Sequence, residues 1–159
     1  VTNGYNAILS RWLDLDYYNF GFSGSARGEI EMAEYINTID MSLFVFDYDY
    51  NALSVEYLKD THEAFFLKIR EKNPTIPILM LSRPNYDYSE DGFDRRKIIE
   101  TTYNNALASG DKNVYFFDGS TFFQECGDSA TVDTCHPNDL GFMVMAQKLY
   151  AVICDIIKK

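Results

Sequence analysis

The sequence predicts a single α/β domain built on a mainly parallel sheet, and three observations carry that prediction. Short apolar runs alternate with longer segments of helical period. Two of the runs, "MSLFVFDY" (41–48) and "IPILMLS" (76–82), are almost continuously apolar, as strands covered on both faces are. Each run is followed by a segment long enough for a crossover, so consecutive strands point the same way.

Taken in order, the helical signal begins at once, in "GYNAILSRWLDL" (4–15), with no strand before it. "DYYNFGF" (16–22) then reads as the first visible strand and 41–48 as the second. Ser54 is placed to cap a helix whose stripe is Val55, Leu58, Phe65 and Ile69. After the third strand (76–82) comes a long loop punctuated by Pro84 and Gly92, then a weaker stripe of Ile98, Thr102 and Ala106. "NVYFFDG" (113–119) is the fourth strand. Phe142, Met145, Ala146, Leu149, Ile153 and Ile156 form the clearest helical stripe in the chain. Helices on both faces of a parallel sheet define a flavodoxin-like three-layer α/β/α sandwich, whose ligands bind beyond the carboxyl ends of the strands. Such a sheet normally opens with a strand, so the first strand is expected to be lacking from residues 1–159.

The bulk properties agree with one domain over 1–159. A chain of 159 residues and 18.3 kDa can bury roughly two-thirds of its unfolded surface. Its 47% hydrophobic content, with 12 Tyr and 12 Phe, supplies a core and argues against disorder. A formal net charge of -10 excludes the clustered positive surface that nucleic acid or an anionic membrane would require. No apolar run reaches the roughly 18 residues of a membrane span. Three cysteines, Cys126, Cys135 and Cys154, show neither a disulfide framework nor zinc spacing. Cys126 and Cys135 flank a short loop and either pair in an oxidising compartment or remain thiols, so the compartment stays open.

Three loops after strands carry possible chemistry. "GFSGSARGE" (21–29) is a glycine turn into a helix, which offers backbone N–H groups to an anion or oxyanion or simply turns the chain. It is neither G-x-G-x-x-G nor a Walker loop. In "DYDYNALS" (47–54), Asn51 offers a side-chain donor of the kind an oxyanion hole uses, and Asp47 with Asp49 offers oxygen ligands for a hard cation. The alternative is a turn that caps the next helix. In "TVDTCHPNDLGF" (131–142), Asp133 can hold one ring nitrogen of His136 and so fix the tautomer a general base needs. The same segment can equally be a helix start with Asn138 or Asp139 as N-cap. His62 is expected as a surface or half-buried residue of a helix. His136, Cys135 and one acid lie too close in sequence for a zinc site, so neither metal nor cofactor is expected.

Together the three loops, in this order and spacing, resemble the SGNH hydrolases, the GDSL-type esterases and lipases. "NFGFSGSARGE" is similar to that family's second block, "FVFDYDYNA" to the third and "DTCHPNDLGF" to the fifth. The resemblance covers essentially the whole chain and implies the same α/β/α fold. It implies that the backbone N–H of Gly24 and the side-chain amide of Asn51 serve an oxyanion hole, that His136 is the general base, and that Asp133 orients it. Arg83, after the third strand, is a further candidate for substrate contact.

Two departures stand out. The third block is usually G-x-N-D, whereas Tyr50 and Ala52 flank Asn51 here. The first block, with its nucleophilic serine, has no match: Ser10 lies in a helical segment, and Ser23 and Ser25 belong to the glycine turn. The expectation is therefore an SGNH domain truncated at its N-terminus, with a serine upstream completing a Ser-His-Asp esterase. Its substrate is expected to be a small-molecule or carbohydrate ester, with a short acyl group on a polar alcohol. The rival expectation is a non-catalytic binding module that keeps the fold.

Overall fold

The computed structural model describes residues 3–85 and 89–158. Three strands, β1 (Phe44–Phe46), β2 (Ile78–Leu81) and β3 (Val114–Phe117), form a parallel sheet in that order. The register aligns Phe46 with Met80 and Met80 with Phe116, so the carboxyl ends of all three strands share one edge of the sheet. Around it lie α1 (Tyr5–Leu13), α2 (Ile30–Ile36), α3 (Val55–Lys72), α4 (Gly92–Ala108) and α5 (Asp139–Ile157).

β2 is the centre, and all four of its residues are buried. Its side chains alternate between two layers. Ile78 and Met80 join Leu58, Phe65, Ile69 and Ile99 beneath α2, α3 and α4. Leu79 and Leu81 join Ile8, Leu9, Met145, Leu149 and Ile153 against α1 and α5. A strand sandwiched in this way has no solvent face, which is why Ile78–Leu81 is apolar throughout. The expected α/β/α sandwich is the observed one.

Ser54 caps α3 as expected, accepting from the Tyr57 N–H at 3.1 Å. At α5 the cap is Asn138 rather than Asp139: its side-chain oxygen accepts from the Gly141 N–H at 3.1 Å. By length and composition α5 is apolar enough to cross a membrane, which apolar runs alone did not suggest. In the fold, Met145, Ala146, Leu149, Ile153 and Ile156 of this helix are buried in the core.

Three local expectations are corrected. Residues 16–22 belong to no strand. The alternation that suggested one is real, because the rings of Tyr18, Phe20 and Phe22 follow one another at 6.3 and 6.0 Å. A strand also needs a neighbour for its N–H and C=O groups, and no described strand runs beside this segment. His62 is fully buried, stacked on Phe46 at 4.5 Å and bonded to the Thr102 hydroxyl at 2.8 Å. In α4 the buried stripe is Gly92, Arg95, Ile99, Thr102 and Ala106, so Ile98 sits beside it and an arginine lies within it. The end of the loop after β2, residues 86–88, lies outside the described residues.

Candidate active site

Of the loops singled out in the sequence, 47–54 follows β1 at the carboxyl edge and 131–142 leads into α5, whereas the glycine turn 21–29 follows no strand and leads into α2. The α5 approach is the most tightly folded. A 3₁₀ turn, Gly127–Ala130, leads into an isolated antiparallel bridge between Thr131 and Pro137. Asn138 closes the loop with its backbone N–H on Ala130 O (2.9 Å) and its side-chain amide on Ser129 O (2.8 Å). Gly141, in the first turn of α5, is packed so closely under this loop that a Cβ would sit 2.2 Å from Ala130 O. The helix start and the loop are therefore one packed unit.

Within the loop, Thr134 takes a left-handed φ of 66°, which reverses the chain between Asp133 and His136. One Asp133 oxygen accepts from the backbone N–H groups of Cys135 (3.1 Å) and His136 (2.7 Å). The other lies 2.7 Å from His136 Nδ1. The His136 N–H, and after it the ring, hold the Asp133 carboxyl down at about 2. An ionised carboxylate only accepts, so Nδ1 carries the proton and the Nε2 lone pair is left free of that bond. The His136 side chain is 72% exposed, so this nitrogen is reachable from solvent. Such a pair can take a proton from a hydroxyl and return it to a leaving group.

Asn51 ends the 3₁₀ turn Asp49–Asn51 directly after β1, closed by its own N–H on Tyr48 O at 3.0 Å. Among the described residues its side-chain amide has no hydrogen-bond partner, so both N–H donors are available. The turn is tied from beneath. Asp49 is buried, and its Oδ2 accepts the Arg83 N–H at 3.1 Å. Burial, and next the Asp47 charge, push the Asp49 carboxyl up to about 7. Buried Arg95 donates from Nη1 to Asp49 O (2.7 Å) and Ala52 O (3.0 Å), on either side of Asn51. Arg83 is itself buried, with its guanidinium carbon 3.8 Å from the centre of the Tyr50 ring. The Tyr50 hydroxyl meets the Cys135 side chain, which raises the phenol. Tyr50 thus joins the Asn51 turn to the His136 loop, and Asn51, Arg83, Asp133 and His136 belong to one linked group.

Gly24 is carried on a separate turn. It has a φ of 87°, follows two further positive φ values at Phe22 and Ser23, and has open space where a Cβ would be. Glycine is needed there for conformation rather than for room. The turn joins the rest through Gly28, which lies so close to the Tyr48 ring that a Cβ would be 2.6 Å from it.

Asp133, Cys135 and His136 each present one possible ligand atom within 4.8 Å of the others. The 2.7 Å contact engages Nδ1 and the carboxylate with each other. Cys126, Cys135 and Cys154 are all free thiols. Reading the sequence by motif missed Arg95, although its spacing within the buried stripe of α4 was available as a signal.

A parallel α/β/α sandwich with these loops at the carboxyl edge is the fold of the SGNH hydrolases. The chain belongs to the GDSL-like lipase/acylhydrolase family, which it matches over residues 3–154. No curated protein matches it. Among solved structures it is similar to a GDSL-like lipase structure from Bacteroides ovatus, with 30% identity and a TM-score of 0.86 over 99% of this chain and 48% of that one. It is also similar to the salicylyl-acyltransferase of a tetracycline biosynthetic pathway, at 20% identity and a TM-score of 0.83, over 98% of this chain and 49% of that one. A family two carbohydrate esterase from Clostridium thermocellum, in complex with cellohexaose, matches at 20% identity and a TM-score of 0.72, over 97% and 54%. The chain thus spans about half the length of each of these relatives.

Proposed function

We propose that these residues form the base and oxyanion half of an ester-cleaving site in a serine acylhydrolase. The observation that carries the reading is the Asp133–His136 pair, with Nδ1 fixed at 2.7 Å and the opposite nitrogen exposed. The nucleophile is a serine supplied from outside residues 1–159. Its hydroxyl proton passes to His136 Nε2 as its oxygen attacks the ester carbonyl, and His136 then gives that proton to the departing alkoxide. Water repeats the sequence to release the acid. Asp133 keeps the imidazole in its tautomer and faces the positive charge that develops on it. The Asn51 amide and the Gly24 N–H stabilise the tetrahedral oxyanion, worth roughly 3 to 4 kcal/mol per donor in comparable sites. No metal or cofactor enters these steps.

The substrate class proposed is a short acyl group on a polar, carbohydrate-like alcohol. What supports it is the character of the rim, where half-exposed Tyr50 lies on the Arg83 guanidinium beside Asn51. A tyrosine ring held flat from behind suits stacking on a sugar, and Arg83 acts on the substrate through that ring. The likeness to an esterase that binds cellohexaose points the same way.

The test is the full-length protein assayed on an acetyl ester beside its His136→Ala variant. A loss of roughly 10⁶-fold in kcat is expected for the variant. Equal rates would leave the binding-module reading in its place.

A further inference from the structure

We infer that Arg95 is a positioning residue for the asparagine donor: it holds the Asn51 turn in the geometry the oxyanion requires without touching the substrate. The inference rests on the reading of Asn51 as an oxyanion donor and adds a residue that neither motif nor family block contains.

Arg95 sits in the first turn of α4 and is 6% exposed. A charge there replaces an apolar residue that would pack the stripe between Gly92 and Ile99, and burying it is costly unless every donor finds a partner. Its partners are specific. Nη1 donates to two backbone carbonyls, Asp49 O at 2.7 Å and Ala52 O at 3.0 Å. These peptide groups flank Asn51 on both sides, so one guanidinium nitrogen sets the spacing between the two ends of the turn. Nε is anchored separately on Asp91 Oδ2 at 2.7 Å, and the other Asp91 oxygen accepts from the Ser89 hydroxyl at 2.6 Å. The guanidinium is planar and rigid, so fixing Nε fixes the direction of Nη1. The chain Ser89–Asp91–Arg95 therefore fastens the turn to the body of α4.

The Asn51 side chain has no hydrogen-bond partner of its own among the described residues, so the ties to its turn are what set the place from which its amide reaches the site. Oxyanion donors act because they are already aimed when charge develops, and small misplacements are expensive. A lysine would keep the charge but could not hold Asp91 with one nitrogen and both carbonyls with another.

The experiment is a double-mutant cycle in the full-length protein, with p-nitrophenyl acetate as substrate and thermal unfolding of each variant as the check on folding. Arg95→Lys is expected to lower kcat by about 10- to 100-fold with KM little changed. In an Asn51→Ala background the same change is expected to cost less than about 2-fold, because the donor it positions is gone. If Arg95→Lys does not fold, Asp91→Asn loosens the same chain from its far end and enters the same cycle. An equal loss of kcat with and without Asn51 would reduce Arg95 to a general structural role and overturn the inference, leaving the Asn51 reading intact. An Asn51→Ala variant with wild-type kcat would overturn that reading itself, and the inference with it.

Discussion

The two loops that meet at Tyr50 and Cys135 are held in opposite ways. The Asp133–His136 pair is exposed and self-contained: among the described residues, the three hydrogen bonds to Asp133 come from residues 135 and 136. The Asn51 turn rests on buried groups far away in the chain. Arg83 and Arg95 lie more than thirty residues on, and His62 stacks beneath it on Phe46 and Tyr48. On the proposed reading, a proton-transfer pair is built from a few consecutive residues, whereas an oxyanion donor is placed relative to the rest of the molecule and so draws on its interior.

A break of the self-contained side that leaves the base in place is Asp133→Asn. It is expected to lower kcat in the full-length protein by roughly 10⁴-fold, because an amide can present its NH2 to Nδ1 and favour the wrong tautomer. The melting temperature should stay nearly unchanged, since both side chains are exposed; a large drop in it would show that the loop is not independent.

The buried side should break with acid instead. Burial lowers the His62 imidazole from 6.5 to about 3. As pH falls through 6.5 the unfolded chain takes up a proton that the native state refuses. Stability is therefore full above that value and declines by about 1.4 kcal/mol per pH unit down to about 3. Denaturant unfolding of His62→Phe across this range should lack that slope. An unchanged slope would show that other groups govern acid unfolding.

A narrower window, and so a smaller effect, belongs to Asp49. Its carboxyl is raised from 3.8 to about 7, so the native state keeps a proton that the unfolded chain releases. Its contribution is present below 3.8 and is lost as pH rises through about 7. Asp49→Asn should gain stability relative to the wild type between pH 5 and pH 8, by on the order of a few kcal/mol. A constant difference between the two proteins would mean that Asp49 stays ionised throughout.

The same contrast explains what could be read beforehand. β2 announces itself because a strand buried on both faces admits only apolar residues. Asp133 and His136 are legible because three residues of separation and one turn suffice to join them. Asn51 is legible as a donor type, but the groups that hold it are not, since ties across thirty or more residues leave no local pattern. Arg95 and His62 share one cause of misreading. Both fall on the helical spacing of a buried stripe, Arg95 between Gly92 and Ile99 and His62 between Leu58 and Phe65, yet their polarity suggests the surface. Their hydrogen bonds reverse that preference, and such partners appear only in three dimensions. Residues 16–22 fail differently, because alternation specifies a face but not a neighbour.

The loop that carries His136 has a consequence for descent as well as for chemistry. Among the described residues Asp133 accepts only from residues 135 and 136, so its hold on the imidazole uses no side chain from another element. On the proposed reading of the pair, the other rims of the crevice can be reworked for new acyl donors and acceptors while the proton relay is kept.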